Sequence, residues 1–310
     1  MSYWSAMGGN GVSHLKKVDA VLKTLYIFFL VLFVVSCISI PDSVKQRTVH
    51  NDESSFFSFV CHSGDEDHVI SSRNGHSRML DPQAFSLLNW NVFKGKNETW
   101  MQTFEQFSKG HDLITLQEAY LTEGFRALLD NKQFNWDLAT AFNKRNYAAG
   151  VMTASPSMPV SVCVQRNMEP WVLLPKATLI SVYPLQDTNK RLLLINIHAI
   201  NFTLGDIAFK NQLIQSAGAL IEHNGPAIIA GDFNTWSQSR EQMLFDILVE
   251  PFSLSEVYFD YSKMKTMFKH QLDHVYYRDL DVIDNRTAQT PVSDHSPMWV
   301  TFKYHQDTQP

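Results

Sequence analysis

The sequence predicts an α/β fold in which mixed sheets are covered by helices in one layered domain. Two patterns support this prediction: strand-like and helix-like segments alternate from residue 85 onward, and several strand-like segments follow one another in the middle of the chain. The 310 residues include 45% hydrophobic and 18% charged side chains, which is enough apolar material for a sizeable core. No internal repeat suggests a solenoid or an array.

The individual elements follow from the spacing of apolar residues. In the first predicted helix, Trp100, Met101, Phe104 and Phe107 recur at helical spacing, whereas the strand-like segments are alternating or continuously apolar. The predicted helices span residues 98–109, 122–130, 206–223 and 238–249. The predicted strands span residues 85–93, 111–119, 134–142, 148–155, 159–165, 177–185, 191–200, 227–233, 273–278, 280–287 and 297–304. Together they predict one domain over residues 84–310.

An uncharged apolar stretch at residues 24–40 follows three lysines near the N-terminus. Its length of about 17 residues is at the short limit for a membrane span and also fits the apolar part of a signal sequence. We therefore predict that residues 1–41 are a membrane anchor or signal segment. Because the lysines precede the stretch, the rest of the chain would lie outside the cytoplasm. The alternatives are a bacterial lipoprotein attached through Cys37, and a cytoplasmic protein if the segment does not insert.

The region between this stretch and the predicted domain, residues 42–83, is rich in Ser, Asp, His and Gly. It predicts a polar linker with a short strand at residues 56–60. The three cysteines, Cys37, Cys61 and Cys163, have unrelated spacings and predict neither a metal site nor a disulfide framework. Cys163 lies in an apolar run and is expected to pack in the core.

The overall charge restricts the function. The net charge of −5 argues against a protein that holds nucleic acid through broad contact with its phosphates. An enzyme that touches a few phosphates in a cleft is compatible with this charge.

Polar residues suited to metal binding or proton transfer lie at or near the ends of six predicted strands. They are Asn91, Glu118, His198, Asp232 with Asn234, Asp273 with His274, and Asp294 with His295. Because ligands of α/β proteins bind beyond strand ends, we expect these side chains to form one site. Carboxylate and amide oxygens favour Mg²⁺, and no zinc motif is present. Histidines beside carboxylates supply a general base and its orienting partner, so the set predicts metal-assisted hydrolysis of a phosphate ester.

The segments LNWNVFK, LQEAY, NIHAINF, GDFNTW, LDHVYY and SDHSP resemble, in this order, the motifs of the endonuclease/exonuclease/phosphatase superfamily. This superfamily includes pancreatic deoxyribonuclease, AP endonucleases, neutral sphingomyelinases and inositol polyphosphate phosphatases. The nearest resemblance is to its uncharacterised bacterial YafD-like branch. The resemblance covers roughly residues 84–304. It implies a four-layer α/β sandwich of two packed mixed sheets flanked by helices, with the active site at one end of the sheets.

The resemblance also implies roles for individual residues. Glu118 would be the principal ligand of Mg²⁺, with Mn²⁺ as the alternative ion, and Asn91 would lie beside it. Asp294 would supply a second contact to the metal. Asp232 would orient or deprotonate the attacking water, and Asn234 would bind the phosphate.

The two histidines complete the implied site. His295 would contact the scissile phosphate as an acid or a base, with Asp273 holding its ring. His198 would stabilise the transition state or protonate the leaving oxygen. The implied function is that of a divalent-metal-dependent phosphoester hydrolase, and in particular a phosphodiesterase.

Several departures from the family pattern narrow this interpretation. Phe93 stands where some members carry an acid, which favours one metal or a different second ligand. Lys94 faces either the phosphate or solvent. The signature of inositol phosphatases is absent around Asp273, which disfavours that activity. The open alternatives are a nuclease that acts on DNA or RNA, a sphingomyelinase-like phospholipid phosphodiesterase, and a non-catalytic binding protein on the same fold.

A local basic segment, KMKTMFKH, precedes the predicted strand that begins with Asp273. It contains Lys263, Lys265, Lys269 and His270 in an otherwise acidic chain. One hypothesis is that this segment binds an anionic part of the substrate near the catalytic end. The alternative is an ordinary solvated loop.

Overall fold

The computed structural model describes residues 38–40, 49–50, 69–74, 78–203 and 205–305. The chain divides into two compact units, residues 1–39 and residues 40–310. In the first unit the described residues form a two-residue strand, β1, at Ile38–Ser39. All elements described below belong to the second unit.

The second unit contains most of the predicted elements close to their predicted positions. Its strands are β2 (Val49–His50), β3 (Val69–Ser72), β4 (Phe85–Asn91), β5 (Leu113–Tyr120), β6 (Asn135–Lys144), β7 (Tyr147–Ser155), β8 (Ser161–Met168), β9 (Pro175–Pro184), β10 (Arg191–His198), β11 (Ala227–Asp232), β12 (Ser255–Glu256), β13 (Thr266–Met267), β14 (His270–Gln271), β15 (Asp273–Arg278), β16 (Leu280–Thr287) and β17 (Met298–Tyr304). Its α-helices are α1 (Trp100–Phe107), α2 (Glu123–Asn131), α3 (Ile207–Glu222) and α4 (Gln238–Leu244).

Two large mixed sheets form the centre of this unit. The first has the strand order β3-β6-β7-β5-β4-β17-β16, and the second has the order β12-β15-β11-β10-β9-β8-β2. In each sheet one described pair is parallel, β4 with β5 and β10 with β11. Parallel neighbours need a crossover connection, and helices α1 and α3 provide it. The predicted α/β class with two mixed sheets is therefore confirmed.

The alternating residues of the strands separate the core into layers. Trp90 of β4 packs with Phe104 of α1 and Phe125 of α2 on the outer face of the first sheet. On the outer face of the second sheet, Ile229 of β11 packs with Phe209 of α3. The core between the sheets is lined from both sides, by Leu87, Met298 and Val300 of the first sheet and by Leu194, Ile228 and Ala230 of the second. The layers run helix, sheet, sheet, helix.

Some predicted elements differ from the structure. The helix predicted over residues 238–249 is α-helical only to Leu244, and a π-helical turn continues it over Phe245–Val249. The segment predicted as a linker, residues 42–83, contributes β3, which pairs antiparallel with β6 at the edge of the first sheet. The composition of the segment did not predict this strand, because β3 is defined by its pairing with β6, which lies far along the chain. The strand predicted at residues 56–60 lies outside the described residues.

The predicted membrane segment falls largely outside the described part of the chain, which begins at residue 38. Among the helices that the structure describes, none is both long and apolar enough to cross a membrane. The anchor over residues 24–40 therefore stays a prediction.

Cys163 is buried, as expected, but it is also disulfide-bonded. The expectation that the cysteines form no disulfide was therefore wrong for this residue. The other two cysteines of the chain, Cys37 and Cys61, lie outside the described residues. Spacing along the sequence could not reveal the bond, because a disulfide depends on distances in space between segments far apart in the chain.

Strand pairing in the second sheet brings three predicted site residues into one row. His198 of β10 pairs in register with Asp232 of β11, and Asp232 pairs in register with Asp273 of β15. These three residues lie at the same edge of the sheet because β10 and β11 end there and the antiparallel β15 begins there.

Candidate active site

Asp232 is at the centre of the site and is almost fully buried. Nδ2 of Asn91 donates to its Oδ2 at 3.0 Å, and the backbone N–H of Asn234 donates to its Oδ1 at 3.0 Å. Burial raises the pKa of Asp232 to about 6, against the opposing charge of His295. The carboxylate is therefore ionised at neutral pH, and its pKa lies close enough to neutrality for proton exchange with a water molecule.

The backbone before Asp232 depends on a glycine. A Cβ atom at Gly231 would lie 1.9 Å from the carbonyl oxygen of Ile197 on the neighbouring strand. Only glycine permits β11 to approach β10 this closely, and the approach sets the Asp232 carboxylate beside His198. Gly231 is therefore required by the geometry of the site.

His295 and Asp273 form a buried pair next to Asp232. Nδ1 of His295 lies 2.7 Å from Oδ2 of Asp273, and Nε2 of His295 lies 3.9 Å from Oδ2 of Asp232. Burial alone would lower the pKa of His295, but the charge of Asp273 and then that of Asp232 raise it to about 10. His295 is therefore an imidazolium at neutral pH, and its Nε2 carries a proton.

The loop that carries His295 is attached to the first sheet. The backbone N–H of His295 donates to Oγ of Ser293, and that hydroxyl donates to the carbonyl oxygen of Asn91 at 2.6 Å. Nε1 of Trp90 donates to the carbonyl oxygen of His295. Through these bonds, β4 of one sheet fixes a histidine that faces the carboxylates of the other sheet.

His198 has a neighbour that the sequence did not reveal. Nζ of Lys176, on β9, lies 2.7 Å from Nε2 of His198. Burial, followed by the charge of Lys176, holds the pKa of His198 well below its usual value. Burial also lowers the pKa of Lys176. The lowered pKa of His198 favours its neutral imidazole, and Nε2 of a neutral imidazole can accept a hydrogen bond from Nζ of Lys176.

Glu118 lies on β5 where its pairing with β7 shifts register, between Leu116 and Ala119. Its φ is 54°, a left-handed conformation that is uncommon for residues other than glycine. The side chain lines the pocket, with Oε2 2.5 Å from Nζ of Lys94 and Oε1 3.9 Å from Nε2 of His198. Lys94 therefore lines the pocket in a pair with Glu118 and is not a purely solvated side chain.

Asn91, Asn234 and Asp294 occupy different positions around this centre. The side-chain oxygen of Asn91 accepts from the backbone N–H of Phe93, while its nitrogen holds Asp232. Asn234 has a left-handed backbone, lines the pocket and donates from Nδ2 to the carbonyl oxygen of Ala199. Asp294 is partly exposed at the pocket edge, and its Oδ1 lies 4.0 Å from Nε2 of His295.

His274 stands apart from the predicted set. Its Nδ1 lies 2.6 Å from Oε1 of Glu256, and its Nε2 lies 2.8 Å from Oγ1 of Thr235. His274 is not among the residues that line the pocket of Glu118 and Asp232. These contacts support a structural role.

Two of the four basic residues in the segment KMKTMFKH are paired with carboxylates in the structure. Nζ of Lys263 is paired with Asp260 at 3.1 Å, and Nδ1 of His270 is 2.9 Å from Oε1 of Glu241. Lys265 lines the pocket that contains Glu118 and Asp232, and Lys269 lies in the turn between β13 and β14. Lys265 is therefore the member of the segment that is placed to meet a substrate.

The donor set fits a divalent cation on Glu118. Glu118 and Asp294 both present carboxylates to the pocket, and hard oxygen donors of this kind suit Mg²⁺. Ligand atoms of Asp232, Asp273 and His295 also lie within 4.8 Å of one another. We favour Glu118 because a histidine that is protonated and bonded to a carboxylate offers no lone pair to a metal.

These residues line a pocket with a volume of about 760 Å³. Its floor is polar and includes Glu118, Lys176, His198, Asp232 and His295. Its wall is largely apolar, with Phe93, Ala141, Phe142, Val151, Leu174 and Leu272 among the lining residues. The arrangement places acids, a protonated imidazole and three lysines, Lys94, Lys176 and Lys265, beside an apolar cleft.

Two packed mixed sheets with this constellation at one end define a phosphoesterase-type fold. The family model of the Endonuclease/Exonuclease/phosphatase family matches residues 88–295. The chain belongs to this family, whose members are generally divalent-metal-dependent hydrolases of phosphoester bonds.

The chain is also similar in sequence to individual bacterial proteins. It is 37% identical over 222 residues to a UPF0294 protein of Vibrio vulnificus (strain YJ016), covering 72% of this chain and 78% of that protein. This likeness supports the predicted YafD-like branch.

Solved structures with low sequence identity share the fold. The human Nocturnin catalytic domain with bound sulfate has a TM-score of 0.56 at 14% identity, over 77% of this chain and 97% of that one. ANGEL2, a 2′,3′-cyclic phosphatase, has a TM-score of 0.56 at 15% identity, over 72% and 96% of the two chains.

Proposed function

We propose that this protein is a divalent-metal-dependent phosphodiesterase. The observation that supports it most directly is the row of His198, Asp232 and Asp273, with the protonated His295 opposite Asp232. Hydrolysis of a phosphoester needs a general base whose pKa is close to neutral pH and a cation beside the phosphate. Asp232 and the imidazolium of His295 supply these groups in one pocket. ANGEL2 is a phosphatase with the same fold, which is compatible with this chemistry.

In the proposed reaction, Asp232 accepts the proton of a water molecule whose oxygen forms a bond to phosphorus. The bond from phosphorus to the leaving oxygen breaks, and the imidazolium of His295 supplies a proton to that oxygen. Asp273 holds the imidazole ring, and the ammonium group of Lys176 stabilises the charge on the phosphate oxygens. Asn234 contributes an amide to the same phosphate.

Glu118 would be the principal ligand of Mg²⁺ or Mn²⁺, with Asp294 as a second contact. Asn91 would lie beside Glu118 at the metal. Its amide oxygen accepts from the backbone N–H of Phe93 with one lone pair, which leaves the second lone pair for the metal. When bound, the metal neutralises charge on the phosphate. Nζ of Lys94 lies 2.5 Å from Oε2 of Glu118, so this lysine is within reach of a phosphate that approaches the metal ligand.

Hydrolysis of bis(p-nitrophenyl) phosphate by the full chain tests this proposal. Activity should disappear with EDTA and return with Mg²⁺ or Mn²⁺. Glu118→Gln should weaken the response to metal, and His295→Asn should lower kcat by about 10²-fold or more. The matched control is Asp281→Asn, an exposed carboxylate of β16 that contacts His305. A non-catalytic binding protein predicts no hydrolysis, and full activity of both site variants would refute the assignment.

We also propose that the catalytic unit lies outside the cytoplasm, attached to the membrane through residues 24–40. The disulfide at Cys163 supports this location, because structural disulfides persist in oxidising compartments. Protease added to intact spheroplasts of bacteria that express the full chain should digest the domain and spare a cytoplasmic marker. Protection of the domain would contradict the proposal. Release of the protein by Cys37→Ser would favour the lipoprotein alternative.

A further inference from the structure

The mouth of the catalytic pocket carries a group of exposed apolar side chains, here called the apolar rim. It comprises Trp171, Val172 and Leu173 between β8 and β9, Phe202 after β10, and Phe268 between β13 and β14. Trp171 is 63% exposed, Leu173 66%, Phe202 54% and Phe268 72%. Val172, Phe202 and Phe268 also line the pocket, so the three loops surround one opening.

The backbone of the rim is arranged to present these side chains. Phe268 and Lys269 both have positive φ, 52° and 72°, in the turn that joins β13 to β14. Leu173 also has a positive φ, 54°. A bulky apolar residue in this conformation is uncommon, and these side chains gain little burial within the chain. Their exposure points to a contact outside the chain.

A buried carboxylate joins two of the rim loops. Oε1 of Glu169 accepts hydrogen bonds from the backbone N–H groups of Asn201, at 2.7 Å, and Phe202, at 2.5 Å. The backbone N–H of Leu173 donates to the carbonyl oxygen of the same Glu169. The loop of Trp171 is therefore held to the loop of Phe202, which makes this part of the rim a preorganised surface.

The pocket continues the rim inward. Val172 and Phe202 of the rim line the same pocket as Phe142 and Val151 of the apolar wall and His198 of the polar floor. A substrate with a phosphodiester at the floor and an apolar chain along the wall would match both parts. Such a chain would leave the pocket through the rim.

Positive charge accompanies the rim. Lys265 lines the pocket, and Lys269 is adjacent to Phe268 at the tip of the β13–β14 turn. Aromatic residues next to lysines are typical of surfaces that lie at the interface of a membrane, where the rings enter the headgroup region and the lysines meet anionic lipid.

We propose that the substrate is the phosphodiester of a membrane lipid, and that the apolar rim docks on the bilayer that contains it. The inference rests on the proposed phosphodiesterase function and adds the class of substrate. A nucleic acid, with bases stacked on the rim aromatics, is the competing occupant. The apolar wall favours the lipid, because an acyl chain fills it without polar groups that need partners.

The first test measures the activity of the full chain on two substrates. The variant Trp171→Ser/Leu173→Ser changes two rim residues that do not line the pocket. Bis(p-nitrophenyl) phosphate reports the phosphate site, and vesicles of phosphatidylcholine and phosphatidylglycerol report lipid hydrolysis through release of phosphorylated headgroup. We expect the variant to lose at least about tenfold on vesicles relative to the soluble diester.

The matched control is Ile221→Ser/Ile283→Ser, two exposed isoleucines on α3 and β16. This variant should keep the wild-type ratio of the two activities. Wild-type hydrolysis of the soluble diester without hydrolysis of vesicle lipid would overturn the lipid inference and leave the phosphodiesterase proposal standing. If the wild type hydrolyses single-stranded DNA and the rim variant does so more slowly, the lipid inference is overturned and the substrate is a nucleic acid. No metal-dependent hydrolysis of the soluble diester would refute the proposed function itself.

The second test measures docking without catalysis. Vesicles with brominated acyl chains quench tryptophans that enter the bilayer. The difference in quenching between the wild type and Trp171→Phe isolates Trp171, because residues 24–40 contain no tryptophan. We expect quenching of the Trp171 component, also in the inactive Asp232→Asn background. Equal quenching of the wild type and Trp171→Phe would overturn docking through the rim.

Discussion

His295 and Asp273 form a buried pair in which Nδ1 of the imidazole lies 2.7 Å from Oδ2 of the carboxylate. The other oxygen of Asp273 has no hydrogen-bond partner among the described residues, so His295 is its principal contact. This pair fixes the orientation of the ring and holds its Nε2 near Asp232. The charge of Asp273 also keeps His295 protonated at neutral pH.

Asp273→Asn should move the alkaline limb of the pH profile to lower pH. The charge of Asp273 is the largest of the influences that oppose burial and raise the pKa of His295 to about 10. Without it the pKa falls, and the imidazolium is lost at lower pH. We expect kcat to drop by about 10²–10⁴-fold at neutral pH. The profile of kcat/KM on bis(p-nitrophenyl) phosphate measures the shift, with Asp281→Asn as control, and an unchanged alkaline limb would contradict the role.

Activity should decline on the acid side near pH 6. Burial raises the pKa of Asp232 to about 6, and the proposed base must be ionised. As the pH falls below this value the protonated fraction grows, so kcat/KM should decrease about tenfold for each further pH unit. The profile measured at saturating Mg²⁺ tests this. Asp232→Asn should be inactive throughout, and an acid limb near pH 4 in the wild type would show that Asp232 is not the titrating group.

Lys176→Met should raise the pKa of His198. Burial and then the charge of Lys176 hold that pKa well below the usual value, so removal of the charge leaves burial as the remaining main cause. Titration of the imidazole signals by NMR measures the change. We also expect kcat to fall by about 10²-fold through the loss of charge stabilisation at the phosphate.

Lys176→Arg should restore part of this activity, and Lys303→Met, on the exposed end of β17, is the control. If Lys176→Met lowered stability without moving the pKa of His198 or kcat, Lys176 would be only a structural residue.

Gly231→Ala should destabilise the fold. The added Cβ would lie 1.9 Å from the carbonyl oxygen of Ile197, and two paired strands must separate to admit it. We expect a loss of at least about 2 kcal/mol in the free energy of unfolding, measured by urea denaturation.

The matched control is Gly218→Ala in α3, where a Cβ meets no atom within 4 Å. Alanine there should stabilise the protein by about 0.5–1 kcal/mol, because glycine is a poor helix former. Equal effects of the two substitutions would contradict the close-approach argument.

The sequence by itself determined the α/β class, the main strands and the residues that converge on the site. This information is local, because hydrophobic periodicity defines each element and polar residues at strand ends mark the site edge. Asn91, Glu118, His198, Asp232 and His295 could therefore be predicted from the sequence.

Only the tertiary structure decided how these groups act on one another. Lys176 lies on β9, and nothing in its own segment shows that strand pairing sets its ammonium group against His198. The same is true of the disulfide at Cys163 and of β3 at the sheet edge. Protonation states, close approaches and the apolar rim all depend on neighbours from distant parts of the chain. The physical reason is that burial and charge at a site are properties of the assembled layers and not of any single segment.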